Sequence, residues 1–185
     1  MTLHVMVDVE TMGQTPRAPV ASLGAVAFDP WGDEPLRRLG YVFYRAISLK
    51  AQRNRDWDGD TVSWWMRQSD AARTALLMNP EEPGDVLWDF RDFLYASTGE
   101  DSRVVTWSYG ANFDHPILVS LWSDYAGNDR YPVHFRNQLC ARTLIHASNI
   151  TLSDSGGESH NALDDAVRQA EWLRLAVAAL RIPRF

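Results

Sequence analysis

The chain has 185 residues, 45% of them hydrophobic and 23% charged, which is the size and composition of one globular domain, residues 1–185, with a real core. The single Cys140 excludes a disulfide framework within the chain, and no stretch approaches the roughly 20 apolar residues that span a bilayer, so we expect a cytoplasmic protein without a membrane anchor. The net charge of −6 argues at first against nucleic acid as a partner, but divalent cations bound to a cluster of acids would partly neutralise it.

Strand patterns dominate the beginning of the chain. Residues 3–9 alternate in polarity as a strand, and the apolar runs at residues 20–29 and 36–47 predict two more. The turn-rich sequence between the last two favours antiparallel hairpins. Residues 48–60 are predicted to form a polar loop, followed by two short helices in "TVSWWMRQ" and "AARTALLM".

Helical patterns dominate the rest of the chain. Residues 85–97 predict an amphipathic helix, residues 103–108 a buried strand, and residues 111–126 a loop that becomes a helix. Residues 137–148 predict another helix, and "SDSGGESHN" at residues 153–161 a loop. The clearest helix is "ALDDAVRQAEWLRLAVAAL", and the whole order predicts one mixed sheet covered by helices. The apolar faces of the first and last of these helices comprise Val86, Leu87, Phe90 and Leu94, and Leu163, Ala166, Val167, Ala170, Leu173, Val177 and Leu180.

Acids occur where these apolar elements begin or end. Asp8 and Glu10 end the first strand, and because they are two residues apart they point to the same side of an extended chain. Asp114 follows the strand at residues 103–108 by a short loop, and Asp165 lies at the start of the last helix, five residues after His160. Four acids and a histidine at element boundaries are a much stronger signal than one acidic pair.

Two-metal phosphoryl transfer is the chemistry that needs such a set. Hard cations such as Mg²⁺ take oxygen ligands, and a few carboxylates together with substrate phosphate oxygens complete their coordination. Two ions about 4 Å apart stabilise the attacking water and the leaving 3′ oxygen of an in-line displacement. A histidine titrates in the range that suits a base acting on that water.

Three of these segments resemble a known family. "VDVET", "NFDHPIL" and "HNALDDA" are similar, in this order, to the three motifs of the DEDDh 3′–5′ exonucleases, which include RNase T and oligoribonuclease. "TPRAPVASLGAVAFDP" and "DTVSWWMRQSDAAR" resemble a small branch of phage and mycobacterial exoribonuclease-like proteins. The resemblance covers nearly the whole chain. It implies an α/β, ribonuclease H-like fold: a mixed five-stranded sheet with three antiparallel N-terminal strands, flanked by α-helices.

The resemblance also implies a role for each residue of the acidic set. Asp8 would bridge two divalent cations, Mg²⁺ or Mn²⁺. Glu10 and Asp165 would hold the ion that activates water, and Asp114 would reach the second ion directly or through water. His160 would be the general base, on a loop from which it can swing over the site.

Substrate contacts are expected beside these residues. In the superfamily the backbone after the first motif grips the terminal nucleotide while an apolar side chain wedges against its base, which the resemblance implies for Thr11 and Met12. Asn112 and Phe113 precede Asp114 and are candidates for the nucleotide pocket, with packing as the alternative for Phe113.

The adjacent Trp64 and Trp65 lie in a predicted helix, so their side chains point about 100° apart. One of them is expected in the core. The other is a candidate for stacking on a base, a contact worth roughly 1–3 kcal/mol, and packing of both is an equal alternative.

Several neighbouring residues have simpler interpretations. Asp164 is expected to be a first-turn acid favoured by the helix dipole rather than a ligand. His115 is expected to be structural or exposed. Arg142 and Thr143 are expected to anchor the scaffold, with a substrate contact as the alternative. The loop with Arg53 and Arg55 is expected to be a solvated turn, with guidance of the substrate as the alternative.

We therefore expect a metal-dependent 3′–5′ exonuclease that releases nucleoside 5′-monophosphates from a single-stranded 3′ end, with RNA favoured over DNA. All but Lys50 of the 18 basic residues are arginine, which suits phosphate binding but also follows from a GC-rich genome. A phage-type exodeoxyribonuclease, a phosphodiesterase for dinucleotides and a non-catalytic nucleic-acid-binding module are the alternatives. A homodimer is possible, with the last helix either at its interface or covered by the sheet.

Overall fold

The computed structural model describes residues 3–37, 40–98, 104–127, 129–152 and 160–185, which form a mixed sheet with helices on both faces. The strands are β1 (His4–Thr11), β2 (Val20–Phe28), β3 (Val42–Ala46), β4 (Thr106–Ser108) and β5 (Gln138–Cys140). The helices are α1 (Gly59–Trp65), α2 (Asp70–Leu77), α3 (Pro83–Thr98), α4 (Asp114–Tyr125), α5 (Ala141–Ser148) and α6 (Ala162–Leu180). Short 3-10 helices occur at Leu49–Gln52 and Phe135–Asn137.

The first strand lies at the centre of the sheet, whose order is β3-β2-β1-β4-β5. β1 pairs antiparallel with β2, and β2 pairs antiparallel with β3, whereas β4 and β5 continue in parallel on the other side of β1. The expected mixed five-stranded sheet with three antiparallel N-terminal strands is confirmed. Because parallel strands end at the same edge of a sheet, the residues that follow β1 and β4 meet there.

Two predicted boundaries are wrong. The helix predicted over residues 137–148 begins only at Ala141, because Gln138–Cys140 form β5, a strand of three residues that is too short to show an alternating pattern. The third strand is shorter than residues 36–47, since the chain turns at Gly40, whose φ of +81° lies in the region that favours glycine. The loop predicted at residues 153–161 lies largely outside the described residues.

The alternation of β1 assigns its side chains to two cores. Val5, Val7 and Val9 belong to the core that β1 shares with α3 and α4. Met6 belongs to the core on the opposite face, which α5 and α6 cover. Asp8 and Glu10 share the direction of Met6, so they point towards the helical face that carries α6. The strand therefore delivers both carboxylates to the beginning of that helix.

Gly24 allows α6 to approach the sheet closely. A Cβ at this position would lie 2.2 Å from the carbonyl carbon of Ala162, a separation that real atoms do not tolerate. Gly24 is also the partner of Asp8 in the β1–β2 register. The Asn161 side chain accepts two backbone N–H bonds of the first turn of α6 and fixes where the helix begins. The first turns of α6 are thus held over Asp8.

The predicted apolar faces of the two long helices are buried. The four residues singled out on α3 are fully buried between that helix and the sheet. On α6, Ala166, Ala170 and Leu173 are fully buried against β1 and β2. The sheet therefore covers the apolar face of α6, which is not available to a second copy of the chain. None of the described helices is long and apolar enough to cross a membrane.

In the loop at residues 48–60, Arg53 is exposed, as expected of a solvated turn, but Arg55 is not. The Arg55 side chain is 1% exposed, and its guanidinium donates to Asp124 at 2.6 Å and to the carbonyl oxygens of Pro16 and Ala18. A buried guanidinium is tolerated here because a carboxylate and carbonyls satisfy its donors. Arg55 therefore ties the β1–β2 loop to α4.

Candidate active site

A cleft of about 780 Å³ opens at the edge of the sheet where β1 and β4 end. Its walls include all the acids expected at the site and the expected histidine: Asp8, Glu10, Asp114, His160 and Asp165. Asp8 and Glu10 come from β1, Asp114 is the first residue of α4, Asp165 lies in the first turn of α6, and His160 stands just before it. The fold thus brings together in one place the residues singled out in separate parts of the sequence.

The carboxylates of the cleft repel one another where water reaches them poorly. Burial and the neighbouring charges of Asp114 and Glu10 raise the pKa of Asp8 well above its ordinary value. Burial and Asp114 raise the pKa of Glu10 to about 7, and burial raises the pKa of Asp114 to about 7 despite two backbone N–H bonds. Desolvation disfavours the ionised form of all three acids, and like charges add to this effect at Asp8 and Glu10.

Two residues of α6 that were not expected from the sequence offset part of this repulsion. The Nε2 of Gln169 donates to Asp8 Oδ1 at 2.8 Å, and Arg168 forms an ion pair with Asp165. Gln169 follows Asp165 by four residues, one helical turn, so the helical spacing was the signal that would have revealed it. Within the described part of the chain, the buried Oε1 of Gln169 has no hydrogen-bond partner.

The donor set fits divalent cations. Glu10, His160 and Asp165 each offer a ligand atom, and these atoms lie within 4.8 Å of one another. Asp8 and Asp114 add two carboxylates that interact with each other through their charges. Clustered oxygen donors with raised pKa values are what Mg²⁺ and Mn²⁺ neutralise when they bind, with release of the protons.

His160 is held in an uncommon backbone conformation beside α1. Its φ is +66°, in the left-handed region that residues with a side chain rarely occupy. The Trp64 ring meets the imidazole edge to face with 4.7 Å between centroids, and Trp65 lies at 6.1 Å. The indole pair therefore restricts the imidazole to the mouth of the cleft.

A second cavity of about 490 Å³ adjoins the cleft on the side of α1. Thr11, Trp64, Trp65 and Phe113 line it, and it shares Glu10 and Phe113 with the cleft. Trp65 is 4% exposed and its Nε1 donates to the Thr11 carbonyl at 2.9 Å, whereas Trp64 is 37% exposed. One tryptophan of the pair thus lies in the core, and Trp64 is the one that faces the cavity from solvent.

The side chain of Met12 does not point where the resemblance implies. It is 6% exposed and packs with Trp65, Ala72 and Leu76 in a small core beneath α1 and α2. A register shift between Glu10 and Thr11 interrupts the alternation of β1 just before it. The position of the Met12 side chain therefore argues against its expected role as a wedge.

Asn112 and Phe113 lie where the sequence predicts. Both line the cleft directly before Asp114, Asn112 exposed and Phe113 partly buried against the core under α3 and α4. Phe113 also borders the second cavity, so packing and lining are combined in one ring.

Other residues near the cleft take structural positions or differ from expectation. Asp164 forms an ion pair with Arg37, as suits a first-turn acid outside the ligand set. His115 is 1% exposed in the core, and burial lowers its pKa to about 4. Arg142, expected to anchor the scaffold, is instead exposed at the cleft, where its guanidinium lies over the ring of Tyr109.

Residues 3–177 match the family described as the Rv2179c-like 3′-5′ exoribonuclease domain. The chain belongs to this family. The match confirms the exonuclease resemblance read from the sequence, and it spans the four acids and the histidine of the cleft: Asp8, Glu10, Asp114, His160 and Asp165.

A curated relative of this Rv2179c-like domain is the exodeoxyribonuclease of Enterobacteria phage T4. It is 32% identical over 126 residues, which are 64% of this chain and 55% of the phage protein. The chain spans about half the length of that relative.

Solved structures similar to this Rv2179c-like domain confirm the fold. Pop2p of S. pombe, in its Mg²⁺- and Mn²⁺-bound form, has a TM-score of 0.62 at 12% identity and covers 96% of this chain and 83% of its own. The zinc-bound complex of E. coli ExoI with single-stranded DNA has a TM-score of 0.61 at 13% identity, over 100% of this chain and 42% of ExoI. At these identities the likeness concerns the fold alone.

Proposed function

We propose that this protein is a metal-dependent 3′–5′ exonuclease that hydrolyses single-stranded nucleic acid, RNA in preference to DNA, to nucleoside 5′-monophosphates. The observation that carries the proposal is the convergence of four carboxylates and His160 in one cleft, where burial raises the pKa values of Asp8, Glu10 and Asp114 and the charge of Asp114 adds to the shifts of Asp8 and Glu10. The family match over residues 3–177 supports it.

Two Mg²⁺ or Mn²⁺ ions, when bound, would supply the positive charge that stabilises the attacking water and the leaving 3′ oxygen. Asp8 would be shared between them, because it lies among the other acids and its pKa responds to both Glu10 and Asp114. Glu10 and Asp165 would hold the ion nearer His160, with which they form one group of ligand atoms. Asp114 would hold the other ion.

His160 is the proposed general base. Its imidazole takes the proton of the attacking water as the new oxygen–phosphorus bond forms and the bond from phosphorus to the 3′ oxygen breaks. The leaving 3′ oxygen takes a proton from solvent water, and His160 returns the proton it accepted to solvent. The products are a nucleoside 5′-monophosphate and a strand shortened by one nucleotide. The edge contact with Trp64 keeps the imidazole near Glu10 and Asp165.

The terminal nucleotide is proposed to occupy the second cavity. The exposed Trp64 ring offers a stacking face there, and Thr11 and Phe113 line the same space. This cavity shares Glu10 with the cleft, so a nucleotide in it would present its 5′ phosphate to the carboxylates. Asn112 is positioned on the cleft side of Phe113 as a further polar contact.

Shortening of a labelled single strand from its 3′ end tests the proposal. Wild type with Mg²⁺ or Mn²⁺ should release mononucleotides, and a chelator should stop the reaction. Asp8→Ala and Asp165→Ala should each lower the rate by about a thousandfold or more with the protein still folded. Retained activity in either variant would contradict the proposal.

Two variants sharpen this test. Asp164→Ala is the matched control, because Asp164 is adjacent to Asp165 yet pairs with Arg37, and its rate should stay near that of wild type. His160→Ala should lower the rate by roughly a hundredfold or more. The variant should still bind Mn²⁺, because a general base, unlike a residue that alone holds the metal, is not needed for metal binding.

An exodeoxyribonuclease is the second candidate, favoured by the 32% identity to the phage T4 enzyme. RNA and DNA differ at the 2′-hydroxyl, so the two are best compared as differently labelled strands of one sequence in a single reaction. Faster loss of the DNA label would replace RNA with DNA in the proposal.

A further inference from the structure

The cleft has a basic and aromatic wall that the chemistry above does not use. Tyr109, Gly110 and Arg142 line the cleft on a side that the second cavity does not share. The guanidinium carbon of Arg142 lies 4.7 Å from the centroid of the Tyr109 ring. Tyr109 in turn meets Trp172 of α6 edge to face at 5.8 Å. The three side chains form a stack that runs from α6 to solvent.

The inner part of this stack is fixed by the fold. Tyr109 and Trp172 are partly buried against the core beneath α5 and α6. Gly110 has a φ of +144°, and a Cβ there would lie 3.4 Å from the Nη2 of Arg142. The bare backbone thus leaves room for the guanidinium, whose planar face is set on the ring before any ligand arrives.

The outer member of the stack carries an available positive charge. Arg142 is exposed, and no carboxylate among the described residues lies within ion-pair distance of its guanidinium. Arg168, on the same wall, is paired with Asp165 instead. In a chain of net charge −6, a positive charge at this position favours an anionic ligand.

The arrangement of the two cavities indicates which anion Arg142 would bind. A scissile phosphate over the carboxylates has the departing nucleotide on one side and the remaining strand on the other. If the second cavity holds the departing nucleotide, the strand leaves the carboxylates along the wall of Tyr109 and Arg142. A single strand offers this wall a phosphate at each nucleotide.

We propose that Arg142 binds a backbone phosphate on the 5′ side of the scissile bond, and that Tyr109 and Trp172 position its guanidinium. The inference rests on the proposed exonuclease activity and adds the binding surface for the part of the substrate that is not released. Arg142 is a binding residue here, and the two rings act through it.

Substrates with and without a strand on the 5′ side test the proposal. The nitrophenyl ester of a nucleoside 5′-monophosphate fills only the terminal position, whereas a ten-nucleotide strand reaches the wall. Arg142→Ala should lower kcat/KM on the strand by about fivefold or more, as loss of a charge-assisted hydrogen bond predicts, and leave the ester unchanged. The slope of log kcat/KM against log salt should become shallower by roughly 0.7 for one lost phosphate contact on a single strand.

Matched variants separate the roles of charge, stacking and fold. Arg91→Ala removes an arginine with the same placement over an aromatic ring, 4.4 Å from the Trp88 centroid, on a helix outside the cleft, and should change nothing. Arg142→Lys keeps the charge without the fork and should lie between wild type and Arg142→Ala. Tyr109→Phe should behave as wild type, and Tyr109→Ala should lose as much on the strand as Arg142→Ala.

Equal loss on ester and strand in Arg142→Ala would overturn the proposal, because Arg142 would then act on the chemistry. Unchanged kinetics on the strand would overturn it as well. If wild type cleaves neither substrate, the exonuclease proposal fails instead. Fluorescence anisotropy of a labelled strand then tests whether the wall of Tyr109 and Arg142 binds a strand. Weaker binding by Arg142→Ala than by Arg91→Ala would then support the phosphate contact, and equal binding would overturn it.

Discussion

The two ends of β1 bury polar groups in opposite ways. At the amino end, His4 is 1% exposed, and its Nδ1 accepts a hydrogen bond of 2.9 Å from the indole of Trp107. Asp29, close by, receives two hydrogen bonds from Arg184 at 3.2 and 2.8 Å. At the carboxyl end, Asp8 receives one hydrogen bond from the described residues, that of Gln169, and lies beside two further acids.

This contrast separates a structural site from a reactive one. Every polar group named at the amino end is satisfied by another part of the chain. The carboxyl end keeps more negative charge than the described residues compensate, which the proposed divalent cations would neutralise. Burial shifts pKa values at both ends, so the size of a pKa shift does not distinguish them. The two ends differ in whether their buried polar groups are matched by hydrogen-bond donors and opposite charges.

Gly24→Ala should disturb the carboxyl end most strongly without removing a polar group. The added Cβ would meet the Ala162 backbone at 2.2 Å and push the first turns of α6 away from Asp8. We expect a loss of about 3 kcal/mol in the free energy of unfolding and a large loss of nuclease activity. Urea titration measures the first. Gly59→Ala is the control, because a Cβ there meets nothing within 4 Å. Equal effects of the two variants would show that the close approach at Gly24 does not position α6.

Opposite pH responses should distinguish the two ends in protein free of divalent cations. Burial lowers the pKa of His4 to about 4, so its contribution to stability is complete above its ordinary 6.5 and is lost as pH falls towards 4, by about 3 kcal/mol at most. The raised pKa values of Glu10 and Asp114 act in reverse: their contribution is complete below the ordinary carboxyl values of about 4 and is lost as pH rises from there to about 7.

Unfolding free energies measured from pH 4 to 8 check this expectation. His4→Gln keeps an acceptor for Trp107 without a titrating ring, so the decline below pH 6.5 should be smaller, with His115 accounting for what remains. Asp8→Asn should make the decline with rising pH smaller, because it removes a carboxyl whose pKa is raised. A smaller decline with rising pH in His4→Gln, or a smaller decline with falling pH in Asp8→Asn, would reverse the assignment.

Divalent cations should stabilise the carboxyl end alone. Mn²⁺ at a hundred times its dissociation constant adds about 2.7 kcal/mol to the free energy of unfolding by mass action. Asp8→Asn should melt at a higher temperature than wild type without metal, since a repelling charge is gone, and should gain little when metal is added. His4→Gln should gain as much as wild type. Equal stabilisation of Asp8→Asn and wild type would show that Asp8 is not shared between ions.

Phe185→Ala should give the smallest effect and should act only at the amino end. The ring lies 5.4 Å from Trp31, edge to face, and 5.7 Å from His4. Its removal should cost about 1 kcal/mol and raise the pKa of His4 towards its ordinary value, because water gains access. NMR titration of the His4 ring measures the pKa. Leu175→Ala, exposed on α6, should leave that pKa unchanged, as should any variant at the cleft.

The parts of the site that follow from local pattern are those that the sequence predicts. The alternation of β1 places Asp8 and Glu10 on one side, and the helical stripe of α6 fixes where Asp165 stands. Those features depend on a few neighbouring residues. The resemblance adds the assignment of His160 as base, which spacing alone does not provide.

What the sequence does not predict depends on distant partners. Arg55 is buried because Asp124, 69 residues away, meets its guanidinium. β5 has three residues, and its pairing with β4 rather than its own pattern makes it a strand. Met12 is buried because Trp65, Ala72 and Leu76, more than 50 residues away, pack against it. Each outcome is set by long-range packing, which overrides local propensity.

α6 and β1 also determine how the molecule would sit if tethered. The last residue, Phe185, lies against His4 at the beginning of β1, so the two described ends of the chain emerge side by side. The eight residues of β1 separate that pole from the cleft, a distance of about 26 Å for an extended strand. A molecule tethered near His4 or Phe185 should therefore hold its cleft towards the solution.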